Sequence, residues 1–301
     1  MSYPKITFKD GHSAPGIAFG AGTTHHRTNC VEEIKTALTA GFTSLDLAEI
    51  YGTSQYVGQA IKESRVDRSS LFITTKAGEG MVDVAKSLDQ ELEALGIDYV
   101  DLFMLHWAHD FNRPNRIKPD WPTMEEAWKA MIEVKKSGKA KSIGVSNFRV
   151  RDLQKLMGCS ELPVINQIEY HPFLYTDTKE VVEFCAKNDI KLAAYSATAP
   201  ITRFSGVSTK FNEELENVAK ALAERSAQEV QTHQVLLRLA SQRGFMVVTT
   251  SSKEFRMKEQ LAAGGLGDLT KEEVDRLVVA AEAHSPQRAF EEHMGELDVE
   301  Y

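Results

Sequence analysis

The segment Asp46 to Gly52 reads DLAEIYG; it takes a run with the character of a buried strand, TSLDLA, through an acid to a tyrosine. Two further apolar runs finish comparably: LFITTK closes on Lys76, and IDYVDLFML leads into His106. If these strands lie side by side, Asp46, Lys76 and His106 meet at one rim. A buried Asp or Lys needs a partner, so a charged pair of Asp46 with Lys76 is the economical inference. Tyr51 falls in the loop just past its strand, where the hydroxyl would swing over the same rim. A free tyrosine has a pKa near about 10, too high for easy proton exchange at neutral pH, and an adjacent ammonium favours the phenolate and lowers that value. The set describes acid catalysis. Tyr51 feeds a proton to a developing alkoxide, Lys76 supplies the field, Asp46 holds Lys76 charged, and neutral His106 donates a hydrogen bond to a substrate oxygen. Taken singly, Lys76 also reads as a snorkelling surface lysine and His106 as a hydrogen-bonded core histidine.

The elements that must position these groups repeat as a unit. An amphipathic helix ends on Gly or Asn and a short apolar strand follows, as in EEIKTALTAG then FTSLDL, or DQELEALG then IDYVDLFML. Gly41, Gly96, Gly138, Asn188 and Gly244 stand where a helix needs a left-handed residue to stop. The strands are apolar on consecutive positions, as a parallel sheet covered on both faces requires. With GIAFG, LFITTK and VINQIE the strands number eight, which at this length predicts a closed (β/α)8 TIM barrel. Asp10-Gly11 between two extended runs predicts an N-terminal β-hairpin capping the bottom of the barrel. No linker or composition shift divides the chain, so residues 1–301 read as one domain. A GxG turn in GAGTTH also fits an open dinucleotide-binding sheet, but His25 stands where the third glycine is needed.

In such a barrel the site lies at the C-terminal ends of the strands. Besides Asp46, Lys76 and His106, the strands end on Ser146 with Asn147, Asn166 with Gln167, Tyr195 with Ser196, and Thr249 with Thr250.

Composition bounds the partners. The chain has 301 residues and a net charge of −8, which argues against a sequence-independent grip on nucleic acid. No apolar run approaches the roughly 20 residues that cross a bilayer and MSYPKITFKD has no basic region followed by an apolar core, so a cytosolic location and no membrane partner are expected. Cys30, Cys159 and Cys185 are widely separated and form neither a disulfide framework nor a CxxC pair. His106 with His109, and His25 with His26, lack a third ligand at a recognisable spacing, so no metal is expected.

DLAEIYG, TTK, LHW, IGVSNF, NQIEYHP and AYS together, in this order and over nearly the full length, resemble the aldo-keto reductase superfamily. The resemblance implies a barrel that binds NADPH across its strand ends and reduces a small-molecule aldehyde or ketone by hydride transfer. It makes Tyr51 the acid, Lys76 and Asp46 the groups that tune it, and His106 the residue that orients the carbonyl. It implies cofactor contacts from Thr23 and Thr24, carboxamide contacts from Ser146, Asn147 and Gln167, and a nicotinamide stack on Tyr195, beside Ser196. In TTSSKEFRMKEQ, Thr250 stands where a basic residue is usual. Ser251, Ser252, Lys253 and Arg256 suit the adenosine 2′-phosphate, and Glu259 and Gln260 occupy the adenine positions. Thr24 replaces a frequent pocket Trp, Leu47 a usual Ser or Thr, and Ala108 a common Pro. His25 and Trp107 are then expected to line the substrate pocket, with Phe111 and Trp121 as further candidates. VTTSSKE and the run Arg288 to Phe290 are most similar to the fungal conjugated polyketone reductases, also known as 2-dehydropantolactone reductases. That likeness implies α-keto lactones, α-keto esters and conjugated polyketones as substrates. A monomer is expected, with a dimer as the other state. The reading from another class is an NADPH-binding regulatory or redox-sensing subunit with little turnover, and a third is a barrel isomerase or lyase without a nicotinamide.

Overall fold

The computed structural model describes residues 3–108 and 121–290. A hairpin of β1 (Ile6–Thr7) and β2 (Ser13–Ala14) precedes eight parallel strands: β3 (Ile17–Gly20), β4 (Ser44–Asp46), β5 (Phe72–Ala77), β6 (Val100–Leu105), β7 (Ala140–Ser146), β8 (Ile165–Glu169), β9 (Lys191–Tyr195) and β10 (Met246–Thr249). They pair in chain order, and β10 pairs with β3 to close the barrel. Helices such as Val31–Ala40, Val84–Leu95 and Thr232–Gln242 pack outside.

Successive strand residues point to opposite faces, and here the two faces belong to different cores. Leu45, Ile73, Phe103, Ile143 and Ile168 join the large cluster formed with the helices. Phe72, Leu102, Met104, Ile165 and Met246 form a separate cluster with Ile6, Phe8 and Ala14 of the hairpin. The second set is the barrel interior, and the hairpin plugs its lower end. Asp10 at the hairpin tip accepts a hydrogen bond from Ser142 Oγ of β7 at 2.8 Å. Stepping two residues up the same interior face takes Met104 to His106 and Ile165 to Gln167, while Phe72 leads through Thr74 to Lys76. The interior is therefore apolar at the floor and polar at the top.

The helix stops fall where expected at four of five positions. Gly41, Gly96, Gly138 and Gly244 have φ of 114°, 65°, 82° and 86°. Asn188 is a correction: its φ is −105°, and Asp189 at 49° takes the left-handed step. The Asn188 side chain instead donates to the Phe184 carbonyl at 2.8 Å, which satisfies a helix-end acceptor without the left-handed turn. Among the described residues no helix is long and apolar enough to cross a membrane.

Phe8, 2% exposed and packed against Phe72 at 6.4 Å between ring centroids, sits at the end of the barrel opposite the polar rim. Phe8→Ala should lower unfolding free energy by about 3–5 kcal/mol and leave kcat unchanged. Urea unfolding and steady-state kinetics on the same preparation check both halves.

Candidate active site

Lys76 is fully buried near the end of β5, and Asp46, 3% exposed, ends β4. Lys76 Nζ donates to Asp46 Oδ1 at 2.5 Å and to the Leu47 carbonyl at 2.7 Å. Gln167 Nε2 donates to the other oxygen of Asp46 at 2.8 Å. Burial disfavours the Lys76 ammonium, but the Asp46 charge beside it leads the opposing contributions and the net shift is upward, so the lysine stays charged. Thr75, the residue before it, is held by Glu91 Oε2 at 2.6 Å, which Ser54 Oγ also reaches at 2.8 Å.

Tyr51 closes the short turn Glu49–Tyr51 after β4. Its ring lies 5.2 Å from the Lys76 ammonium and meets the His106 ring edge-on at 5.6 Å. Burial pushes the phenol above its ordinary value of 10.0, and the Lys76 charge recovers only part of that. The downward shift expected from an adjacent ammonium is thus reversed in sign. The phenol stays protonated at neutral pH, the form that can give a proton away.

Tyr51 and His106 face a cavity of about 800 Å³, together with Asp46, Ser146, Asn147 and Gln167. Its walls continue through Tyr195, Ser196 and Arg203 on one side and Thr249 and Thr250 on another. The polar groups are mutually oriented. Tyr195 donates its hydroxyl to Asn147 Oδ1 at 2.8 Å, Asn147 Nδ2 donates to the His106 carbonyl at 3.1 Å, and Ser146 Oγ donates to the Gln167 carbonyl at 2.9 Å. Thr23, Asn147 and Ser196, with φ of 25°, 60° and 56°, are left-handed residues on this wall. Such backbone strain concentrates where a ligand site is prearranged.

Thr23 and Thr24 line the cavity, and so does His26. His25 does not: it is 3% exposed and packs on Phe19 at 6.0 Å, with its imidazole kept below the usual value by burial. The turn Thr23–His25 rotates one histidine into the core and leaves the next at the cavity. Trp107 is also absent from the wall; it is 9% exposed and stacks on His106 at 4.4 Å, behind it. Phe111 and His109 lie outside the described residues, and Trp121 is half-buried at their border.

Beyond Thr250 the wall runs into Ser251, whose Oγ accepts from the Lys253 N–H at 3.0 Å where the helix Glu254–Ala262 begins. Ser252, Lys253 and Arg256 are exposed there. Gln260 is buried and donates to the Thr250 carbonyl at 3.1 Å, and its Oε1 and Thr250 Oγ1 have no hydrogen-bond partner. Glu259 lies 3.4 Å from His233, which burial and the Arg256 charge hold down at about 4. Sequence reasoning missed His26, Arg203 and Phe290 as wall residues. The polar end of FTSLDL or LFITTK announces itself, whereas nothing in Arg203 or Phe290 alone marks a cavity. Among the described residues no three His, Cys, Asp or Glu side chains are grouped to hold a metal.

A closed parallel barrel with ionisable groups converging at its strand ends is the layout of a barrel enzyme. The family description Aldo/keto reductase family matches residues 16–282, and the chain belongs to that family. It is 36% identical to an NAD/NADP-dependent indole-3-acetaldehyde reductase of Schizosaccharomyces pombe, over 95% of this chain and 98% of that one. It is 35% identical to an NADPH-dependent alpha-keto amide reductase of Saccharomyces cerevisiae, over 95% and 93%. A glyoxal reductase of Bacillus subtilis is 31% identical over 90% and 91%. The crystal structure of an aldo/keto reductase from Brucella melitensis superposes with a TM-score of 0.76 at 31% identity, covering 93% of this chain and 100% of that one.

Gly22 faces the Tyr51 ring so closely that a Cβ there would fall 2.8 Å from Cε2 and 2.9 Å from Cζ. Gly22→Ala should therefore displace the tyrosine. Turnover should drop by about tenfold or more, since misplacement near 1 Å can cost 10²-fold, while the melting temperature stays close to wild type. Steady-state kinetics and a thermal melt of the same variant separate the two effects.

Proposed function

We propose that the chain is an NADPH-dependent carbonyl reductase acting on activated ketones, with Tyr51 as the general acid. The observation that carries the reading is the arrangement of a protonated Tyr51 beside a buried Lys76 and Asp46 pair and edge-on to His106 on the same cavity wall. NADPH, when bound, supplies the hydride. The residues present fit it. Ser146, Asn147 and Gln167 offer an amide edge with oxygen acceptors for a carboxamide, and Tyr195 offers an aromatic face. Thr250 Oγ1 and Gln260 Oε1, buried and unpartnered, offer polar atoms on the path toward the exposed hydroxyls and cations of Ser251, Ser252, Lys253 and Arg256. Glu259 stands beside that path.

In this scheme His106 and Tyr51 hold the substrate oxygen, and Tyr51 delivers its proton as negative charge develops there. Lys76 stabilises the phenolate left behind, and Asp46 keeps Lys76 charged throughout. A second carbonyl adjacent to the first makes the carbon more electrophilic, which favours α-keto lactones, α-keto esters and conjugated polyketones. The names of the alpha-keto amide and glyoxal reductase relatives support this class, since both substrates carry vicinal carbonyls. Thr24 leaves the cavity wall low on its side, which favours cyclic dicarbonyls.

The experiment follows the fall of reduced-nicotinamide absorbance with purified protein, NADPH or NADH, and ketopantoyl lactone, ethyl pyruvate, isatin or a plain aromatic aldehyde. Fast NADPH oxidation with the dicarbonyls is the expected result. Preference for the plain aldehyde would discard the substrate class, and tight NADPH binding without turnover would favour a cofactor-sensing subunit.

Tyr51→Phe should cut ketone reduction by about 10²-fold or more and leave NADPH affinity near wild type, read by fluorescence titration. Because the Tyr51 phenol lies above 10.0, the acid form persists through neutral pH. The tyrosine-dependent fall in the reduction rate should therefore come only as pH rises beyond about 10, whereas oxidation of an alcohol, which needs the phenolate, should rise with pH. A loss of reduction rate between neutrality and that value, still present in a substrate series, would remove Tyr51 from the acid role. Arg256→Ala should raise KM for NADPH by about tenfold or more, the scale of a lost charge-assisted hydrogen bond, with KM for NADH unchanged.

A further inference from the structure

We propose that Glu169 is a positioning residue for the cofactor cavity: its buried carboxylate clips the backbone of Ala289 and Phe290 to the rim and thereby seats Phe290 against Tyr195. The proposal rests on the reading of this cavity as the NADPH site.

Glu169 ends β8, directly beside Tyr195 of β9 in the parallel register, and is 0% exposed. A carboxylate so buried is costly unless its oxygens are satisfied. Its donors come from far along the chain. Oε1 accepts the Ala289 N–H at 2.7 Å and Oε2 accepts the Phe290 N–H at 3.3 Å. His171 Nε2 lies 3.1 Å from Oε1. Burial holds the His171 imidazole below its usual value despite the pull of Glu169, so it serves as a neutral N–H donor. The chain segment carrying those two amides has further ties: Arg288 pairs with Asp177, and Arg203 reaches the Ala289 carbonyl at 3.4 Å.

The segment matters because of where it leaves Phe290. That ring lines the cavity, lies edge-on to Tyr195 at 5.9 Å and 69°, and carries the Arg203 guanidinium 4.7 Å from its centroid. Tyr195 is thus fixed at two places, by the hydroxyl bond to Asn147 Oδ1 and by the Phe290 edge. The plane of Tyr195 is the surface on which a nicotinamide would stack. Main-chain N–H groups hold the clip, so it does not depend on the side chain at position 289, and the side chain it presents to the cavity is Phe290.

Loosening the clip should loosen the cofactor without touching the proton donor. Three variants break it at different points. Glu169→Gln replaces one acceptor oxygen by an amide nitrogen that cannot accept, Ala289→Pro removes the N–H given to Oε1 and leaves the core intact, and Phe290→Ala removes the ring alone. Stopped-flow fluorescence gives the NADPH dissociation rate, and steady-state kinetics give KM for NADPH and kcat at saturating cofactor. Each variant is expected to speed NADPH dissociation by about tenfold, the scale of one charge-assisted hydrogen bond or aromatic contact. KM for NADPH should rise and kcat should not fall. Combining Glu169→Gln with Phe290→Ala should be no worse than the stronger single change, because both cut one linkage. If Glu169→Gln does not fold, Ala289→Pro takes its place in that cycle. Unchanged dissociation in Ala289→Pro and Phe290→Ala, additive effects in the double variant, or a loss of kcat would each overturn the clip. Wild-type protein that fails to bind NADPH would overturn the proposed function instead, so the two failures are told apart by the wild-type measurement alone.

Discussion

An ammonium and a carboxylate withdrawn from water constrain the whole upper half of this barrel. Removing Lys76 and Asp46 from solvent costs several kcal/mol per ion before their attraction is counted, and only further hydrogen bonds offset that cost. The Leu47 carbonyl satisfies a second proton of the lysine, and Gln167 satisfies the second oxygen of the acid. These partners come from β4, the loop after it, β5 and β8. Gln167 stands across the barrel from the pair, so the network exists only when the barrel is shut. A site built in this way is prearranged by the fold rather than assembled by the ligand.

The same architecture explains what could be read in the residues beforehand. A parallel strand covered on both faces is apolar along its length, so a polar residue at its C-terminal end stands out, and the direction of the strand says which rim it occupies. Asp46, His106, Ser146, Asn147, Gln167 and Tyr195 stand at such ends and line one cavity, and Lys76, itself fully buried, reaches it through its bond to Asp46. The hairpin was legible because a turn dipeptide between two short extended runs has few other uses. Asn188 was misassigned because an asparagine can satisfy a helix-end carbonyl with its side chain, so the left-handed step passed to Asp189.

Other features depended on quantities that spacing does not carry. Which of His25 and His26 meets the cavity is decided by the angle of one short turn. The sign of the Tyr51 shift depends on how deeply its hydroxyl is surrounded, and an adjacent cation is only one of the opposing contributions. Phe290 comes to Tyr195 through amides bonded to Glu169, 121 residues earlier in the chain, and no sequence pattern marks them. Long-range main-chain contacts to a buried carboxylate are invisible until the fold brings both ends together.

Closure of the barrel rests on β3 meeting β10, with Ile17 opposite Val247 and Phe19 opposite Thr249. Every other neighbouring pair of strands is joined by a connection within its own stretch of chain, but this seam joins the beginning to the end. During synthesis β3 emerges early and has an open edge until β10 follows it out of the ribosome. Pairing of such distant segments carries the largest loop-closure cost of any strand pair in the barrel and forms late. The ion pair and its Gln167 partner can therefore become dry only at the last stage of folding, and a growing chain carries the components of its site for most of its synthesis without yet having one.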